Sequence, residues 1–150
     1  MEALKSPNES ARYLAWQALK KLYGREALTK LFEDTKALPQ HRARALWLLT
    51  QIALHDQTPL KLGSQPIGAS PTRVDLVSTV VAALSDVDEN IRITAVRAAR
   101  QLYREQPGKV ASFIIAKIVN DPSPAVRREA AIALRFDVTD EANKLWSSLA

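Results

Sequence analysis

The chain has 150 residues, 47% of them apolar and 25% charged, a size and balance suited to one domain with a continuous core. Cysteine is absent, which excludes disulfides, thiolate chemistry, CxxCH haem attachment and cysteine-type zinc sites within the chain. The formal charge of +5 is modestly basic: it permits contact with acidic partners or phosphates and equally suits an ordinary solvated surface.

In chain order, Ser6 as N-cap, Pro7 at the first helical position and Glu9 three after the cap open a first helix. Ala11, Leu14, Ala15, Ala18, Leu19 and Leu22 form its expected inward stripe, and Gly24 ends it. A second helix is expected over about 25–34 with Ala27, Leu28, Leu31 and Phe32 inward. Pro39 introduces a third, running to about Leu54 on a core face of Ala45, Leu46, Leu49 and Ile52. Residues 55–71 hold Pro59, Gly63, Pro66, Gly68 and Pro71, and are expected to form an irregular loop. A fourth helix is expected over about 72–84. Its valines would also suit a strand, but a lone strand would leave its backbone groups unpaired, so no strand is expected. Further helices are expected over about 88–105, 107–119 and 124–136, and from Thr139 onward, divided by Pro107–Gly108 and by Asp121–Pro124.

Arg12, Arg42, Arg92 and Arg127 each stand three residues before an alanine and open an apolar helical stretch. Aligned on them, the segments RYLAWQAL, RARALWLL, RITAVRAA and RREAAIAL carry apolar or small residues at their fourth, seventh and eighth positions, one helical face. A repeat of this kind predicts an all-α array of four helix pairs, each burying its face against its neighbours.

Within LSDVDENIRITAVRAARQL and VNDPSPAVRREAAIAL an aspartate precedes the arginine by six residues, Asp86 with Arg92 and Asp121 with Arg127. These segments resemble HEAT repeats, in which a turn aspartate and an arginine of the next helix form a ladder between stacked units. The resemblance implies an α-solenoid (α/α superhelix) of about four HEAT-like pairs over residues 1–150, with Asp86, Arg92, Asp121 and Arg127 as structural ladder. Ser6 and Lys36 occupy the aspartate's place in the first two units, which leaves the ladder unsupported in the N-terminal half. SPNESARYLAWQAL followed by HRARALWLLTQI is more narrowly similar to the HEAT region of large bacterial membrane-bound proteins classed as dehydrogenases, which join a β-propeller and a c-type haem domain. That likeness implies a segment of a longer protein, whose redox modules lie elsewhere.

Catalysis needs a nucleophile, a base or a metal, and the only histidines, His41 and His55, lack companions for a site. There is no GxSxG elbow and no glycine-rich phosphate loop. No enzymatic activity, cofactor or metal is expected. No run suits a membrane span, and MEALKSPNES lacks a signal-peptide core, so a soluble domain is expected, of undetermined compartment. Trp47, Phe32, Phe113 and Phe136 fall in inward or inter-unit stripes. The candidate interaction residues are Arg97, Arg100 and Arg104, a cationic stripe along one helix, and Tyr13, Trp16 and Tyr23, which share a face outside the first helix's inward stripe. Trp146 and Leu149 pose the same possibility at the other end. The expected role is a non-catalytic scaffold contacting protein partners or neighbouring domains; the alternative is a nucleic-acid binder using the basic surface.

Overall fold

The structure, a computed structural model, describes Asn8, Ser10, Leu14 and residues 24–55, 61–62, 65–66, 71–104, 116–135, 137 and 139–149. The fold is all-α. Its helices are α1 (Arg25–Glu33), α2 (Pro39–His55), α3 (Pro71–Ala83), α4 (Glu89–Leu102), α5 (Ala116–Ile118), α6 (Pro124–Leu134) and α7 (Asp140–Leu149). Ser10 and Leu14 are helical too, but the capping box at Ser6 and the aromatic face of Tyr13, Trp16 and Tyr23 lie outside the described residues.

Local chemistry sets the helix starts. The Asp88 carboxylate accepts from the amides of Asn90 and Ile91 at 2.9 and 3.3 Å and so caps α4. Ser123 caps α6 through the Val126 amide, with Pro124 in the first turn, where a missing N–H costs nothing. Before α7, the Thr139 hydroxyl accepts from the Ala142 amide. The valine-rich segment is helical as α3, burying Leu76, Val80 and Ala83. The described helix α4 ends at Leu102, short of the expected Glu105, with Tyr103 as C-cap.

Packing follows a regular order. Helix α2 packs on α1 and α3 and also on α4; α4 packs on α3 and on α6; α6 packs on α5 and α7. Helices α2, α4 and α6 thus pack in succession, α2 on α4 and α4 on α6. Between them sit Leu46, Ile91, Val96, Leu102, Ile118 and Val126, all nearly or wholly excluded from solvent. Alanines at 45, 95, 98, 99, 130 and 133 let the helices approach closely, and the aligned positions Ala45, Ala95 and Ala130 are all buried.

Two expectations about orientation fail. Leu14 is 66% exposed and Ala27 is exposed, although the apolar pattern expects both inward. Periodicity states which residues share a face but not which way that face turns, and Ala27 lies in the first turn of α1, ahead of the buried Leu28 and Phe32. The expectation of no strand also needs correction. Lys61–Leu62 (β1) and Gln65–Pro66 (β2) pair antiparallel, Lys61 opposite Pro66 and Leu62 opposite Gln65. Strands this short show no alternating pattern in sequence; the one sequence signal is Gly63-Ser64, a dipeptide of the kind that favours hairpins. The hairpin is a local clasp within the loop, and pairing inside the loop satisfies the backbone groups that a lone strand would have left open.

Candidate functional site

Among the described residues, a repeated polar arrangement runs along the turns that precede α4 and α6. Asp86 and Asp121 each fold back on their own chain: Asp86 Oδ1 accepts from the Asp88 amide at 3.0 Å and Asp121 Oδ1 from the Ser123 amide at 2.8 Å. Such a turn aims the rest of the carboxylate away from its own helix. Asp34 and Asp137 make the same two-residue return, to Lys36 and Thr139.

The carboxylates then meet arginines of the preceding unit. Arg42 on α2 holds Asp86 through Nη2–Oδ2 at 2.7 Å and Nη1–Oδ1 at 3.4 Å. Arg92 on α4 holds Asp121 through Nε–Oδ2 at 2.7 Å and Nη2–Oδ1 at 3.0 Å. Both are two-pronged contacts of planar guanidinium on carboxylate. Both are largely withdrawn from water, the side chains being 10% and 11% exposed in the first pair and 12% and 6% in the second.

The six-residue spacing seen in the sequence has a different role from an ion pair. Arg92 Nη1 donates to the carbonyls of Asp86 and Val87 at 2.8 and 3.1 Å, and Arg127 Nη1 donates to those of Asp121 and Pro122 at 2.6 and 3.2 Å. Each arginine therefore clamps the turn before its own helix by the backbone. Its remaining edge, in Arg92, reaches forward to the carboxylate of the next turn. Arg42 departs in detail: its Nε donates to the Phe32 carbonyl at 2.8 Å and its guanidinium lies 5.5 Å from the Phe32 ring centre. Lys36 in the aspartate's place does not prevent this rung, because the carboxylate comes from the following unit.

Burial pushes the Asp121 carboxyl up, but hydrogen bonds from Arg92 and the Ser123 amide, with the charges of Arg92 and Arg127, outweigh it and hold the group below its ordinary value. The hydrogen bond to Asp121 raises Arg92 further above its already high range.

The cationic stripe is reshaped by the same packing. Arg97 is exposed, yet its Nη2 lies 2.8 Å from Glu129 Oε2 on α6, and this bond raises its basicity. Arg100 is half-buried on α4, and Arg104 is exposed beyond the helix end, so the three do not form one continuous helical stripe. Nearby, the Ser123 hydroxyl donates to Glu89 Oε2 at 2.6 Å, a further bond between units. Sequence reading missed Arg42, Glu129, Glu89 and Ser123 as bridging residues. For Arg42 the signal was present, since it aligns with Arg92.

Of the other residues singled out, Phe32 is buried, Trp47 and His41 are half-buried and Trp146 is 53% exposed. Phe113, Phe136 and the side chains of His55 and Leu149 lie outside the described set. Among the described residues no cluster of three potential metal ligands occurs, and no helix is long and apolar enough to cross a membrane.

Comparison with protein-family models, curated proteins and solved structures finds no match to the chain. The class rests on the fold itself: an all-α protein whose row of helices is bridged by arginine–carboxylate rungs.

Proposed function

We propose that the chain is a HEAT-like α-solenoid acting as a non-catalytic scaffold, a protein-interaction module of a larger assembly or of a longer chain such as the dehydrogenase-like proteins it resembles. The observation that carries this reading is the repeated rung, Arg42 with Asp86 and Arg92 with Asp121, which spends four largely buried charged side chains on joining one helix unit to the next. Polar groups so committed organise a surface rather than turn over a substrate. The pairing of Arg97 with Glu129 further reduces the cationic surface open to phosphates.

One titration separates this reading from nucleic-acid binding. Fluorescence anisotropy of a mixed-sequence DNA duplex, at about 50 and about 200 mM salt, should show no specific saturation, whereas a phosphate-contacting protein loses affinity steeply over that range. Micromolar, salt-dependent binding abolished in an Arg97, Arg100, Arg104 triple-alanine variant would replace the scaffold reading with the nucleic-acid one.

A further inference from the structure

Exposed apolar side chains recur along one edge of the molecule. Val87 is 96% exposed, Leu38 is 54% exposed and Pro122 is exposed too. Each stands in the turn that opens a helix, Leu38 before α2, Val87 before α4 and Pro122 before α6. The pairs Arg42 with Asp86 and Arg92 with Asp121 hold these turns beside one another, so the three side chains follow in succession. Two of the turns are fixed by several bonds. Around Val87, Asp86 Oδ1 accepts from the Asp88 amide, Asp88 caps α4, and Arg92 Nη1 donates to the carbonyls of Asp86 and Val87. Around Pro122, Asp121 Oδ1 accepts from the Ser123 amide and Arg127 Nη1 donates to the carbonyls of Asp121 and Pro122. An apolar side chain on a backbone already held in place is a preorganised anchor, because little freedom is left to lose on binding.

The charge of this edge runs against that of the chain. The protein carries +5, yet with Asp86 and Asp121 neutralised by Arg42 and Arg92, the turns hold Glu33, Asp34, Asp88 and Glu89 against Lys36 and Arg127. The anchors therefore lie within an acidic rim. Their interval is also informative. Packed helices lie about 8–10 Å apart. A polyproline II chain has three residues per turn and rises about 3.1 Å per residue, so every third side chain returns to one face about 9 Å further on. A β-strand returns to one face every second residue, at about 7 Å, and falls out of step with the turns.

We propose that this edge docks a cationic polyproline II segment of a partner protein, whose apolar side chains at every third residue meet Leu38, Val87 and Pro122 in succession while lysine or arginine between them faces the acidic rim. Charge complementarity selects the cationic occupant, and the interval between turns selects its conformation. The inference rests on the scaffold reading and names the surface and chemistry of the partner.

The probe is a fluorescein-labelled peptide of about twelve residues repeating Leu-Pro-Lys, long enough as polyproline II to cross all three turns, titrated with the full chain. Comparison peptides carry the same residues in scrambled order, or glutamate in place of lysine. Saturable binding of the repeat peptide is expected, with both comparison peptides weaker by about tenfold or more. Val87→Ser and Leu38→Ser should each weaken binding by about tenfold, the effect of one aliphatic side chain withdrawn from water. Both should leave the urea midpoint of the protein close to its natural value, since these side chains face solvent. Asp34→Asn combined with Glu89→Gln should flatten the salt dependence of binding. No saturation below about 1 mM, equal affinity for the scrambled peptide, or binding indifferent to Val87→Ser overturns the proposal. A monomer–dimer equilibrium in sedimentation that Val87→Ser abolishes would assign the edge to a second copy of the chain and overturn it as well. None of these outcomes bears on the scaffold reading, which the DNA titration decides.

Discussion

Arg42 and Asp86 stand 44 residues apart and close a two-pronged ion pair at 2.7 and 3.4 Å, while the corresponding pair one unit later, Arg92 with Asp121, spans only 29. The added chain lies mainly in the loop between α2 and α3, which lengthens the connection without displacing the rung. One guanidinium thereby joins three pieces of structure: the end of α1 through the Phe32 carbonyl, its own helix, and the turn that opens α4.

That arrangement makes Arg42 a stability determinant. Arg42→Ala leaves a largely buried carboxylate with only the Asp88 amide as donor and takes the guanidinium from the Phe32 carbonyl, so a loss of about 3 kcal/mol is expected in urea unfolding. Asp86→Ala should cost a comparable amount, and the double variant should cost much less than the sum, since the second change removes a group already orphaned. Additive losses in that cycle would show that the pair has no coupling.

Arg92, Arg127 and Arg97 should fall in that order. Arg92→Ala removes a buried ion pair and two carbonyl bonds, for an expected loss of about 3 kcal/mol; Arg127→Ala removes the carbonyl bonds alone, for about 1 to 2 kcal/mol. Arg97→Ala breaks a pair whose arginine side chain is 56% exposed, and a change within about 0.5 kcal/mol is expected. Arg92→Lys should rescue little, because an ammonium cannot serve a carboxylate and two carbonyls in the fork geometry. Chemical denaturation of the four variants gives the ranking directly.

Acid should weaken the fold through Asp121. Its folded-state pKa lies below the ordinary value of 3.8, so the unfolded chain binds the proton more readily. The stabilisation is complete above about pH 5 and is lost progressively as pH falls through 3.8 toward the depressed folded value. Asp121→Asn removes this dependence. Urea midpoints measured from pH 7 to pH 2 should therefore fall less steeply in that variant, although it starts from lower stability at neutral pH.

The loop between α2 and α3 should be replaceable. Exchanging residues 57–69 for about six glycine and serine residues discards the β1–β2 pair, whose strands pair with each other and, among the described residues, with no other strand. Closure entropy changes slowly with loop length, and helix–helix connections of that size are common. Retained helical circular dichroism and an unfolding midpoint close to that of the natural chain are expected; collapse of both would mean that Leu60, Leu62 or Ile67 belongs to the core.

The sequence by itself determined the local elements. Pro39, Asp88, Ser123 and Pro124 mark helix starts because orphan amides at an N-terminus must be capped or removed, and that need is met within three or four residues. The arginine-aligned repeat located the row of α2, α4 and α6, since a shared apolar phase is visible along a single helix. The choice of helix over strand for α3 also followed from local accounting of backbone hydrogen bonds. What the tertiary structure decided was direction and partnership. The spacing of Asp86 with Arg92 was legible, but the carboxylate turned to Arg42 and left its carbonyl for Arg92, because the turn amide orients the carboxylate away from its own helix. Leu14 and Ala27 stand exposed although the apolar pattern of the sequence expects both inward, since phase carries no sign. The bonds from Arg97 to Glu129 and from Ser123 to Glu89 join residues 32 and 34 positions apart, a separation bridged only when two helices lie side by side.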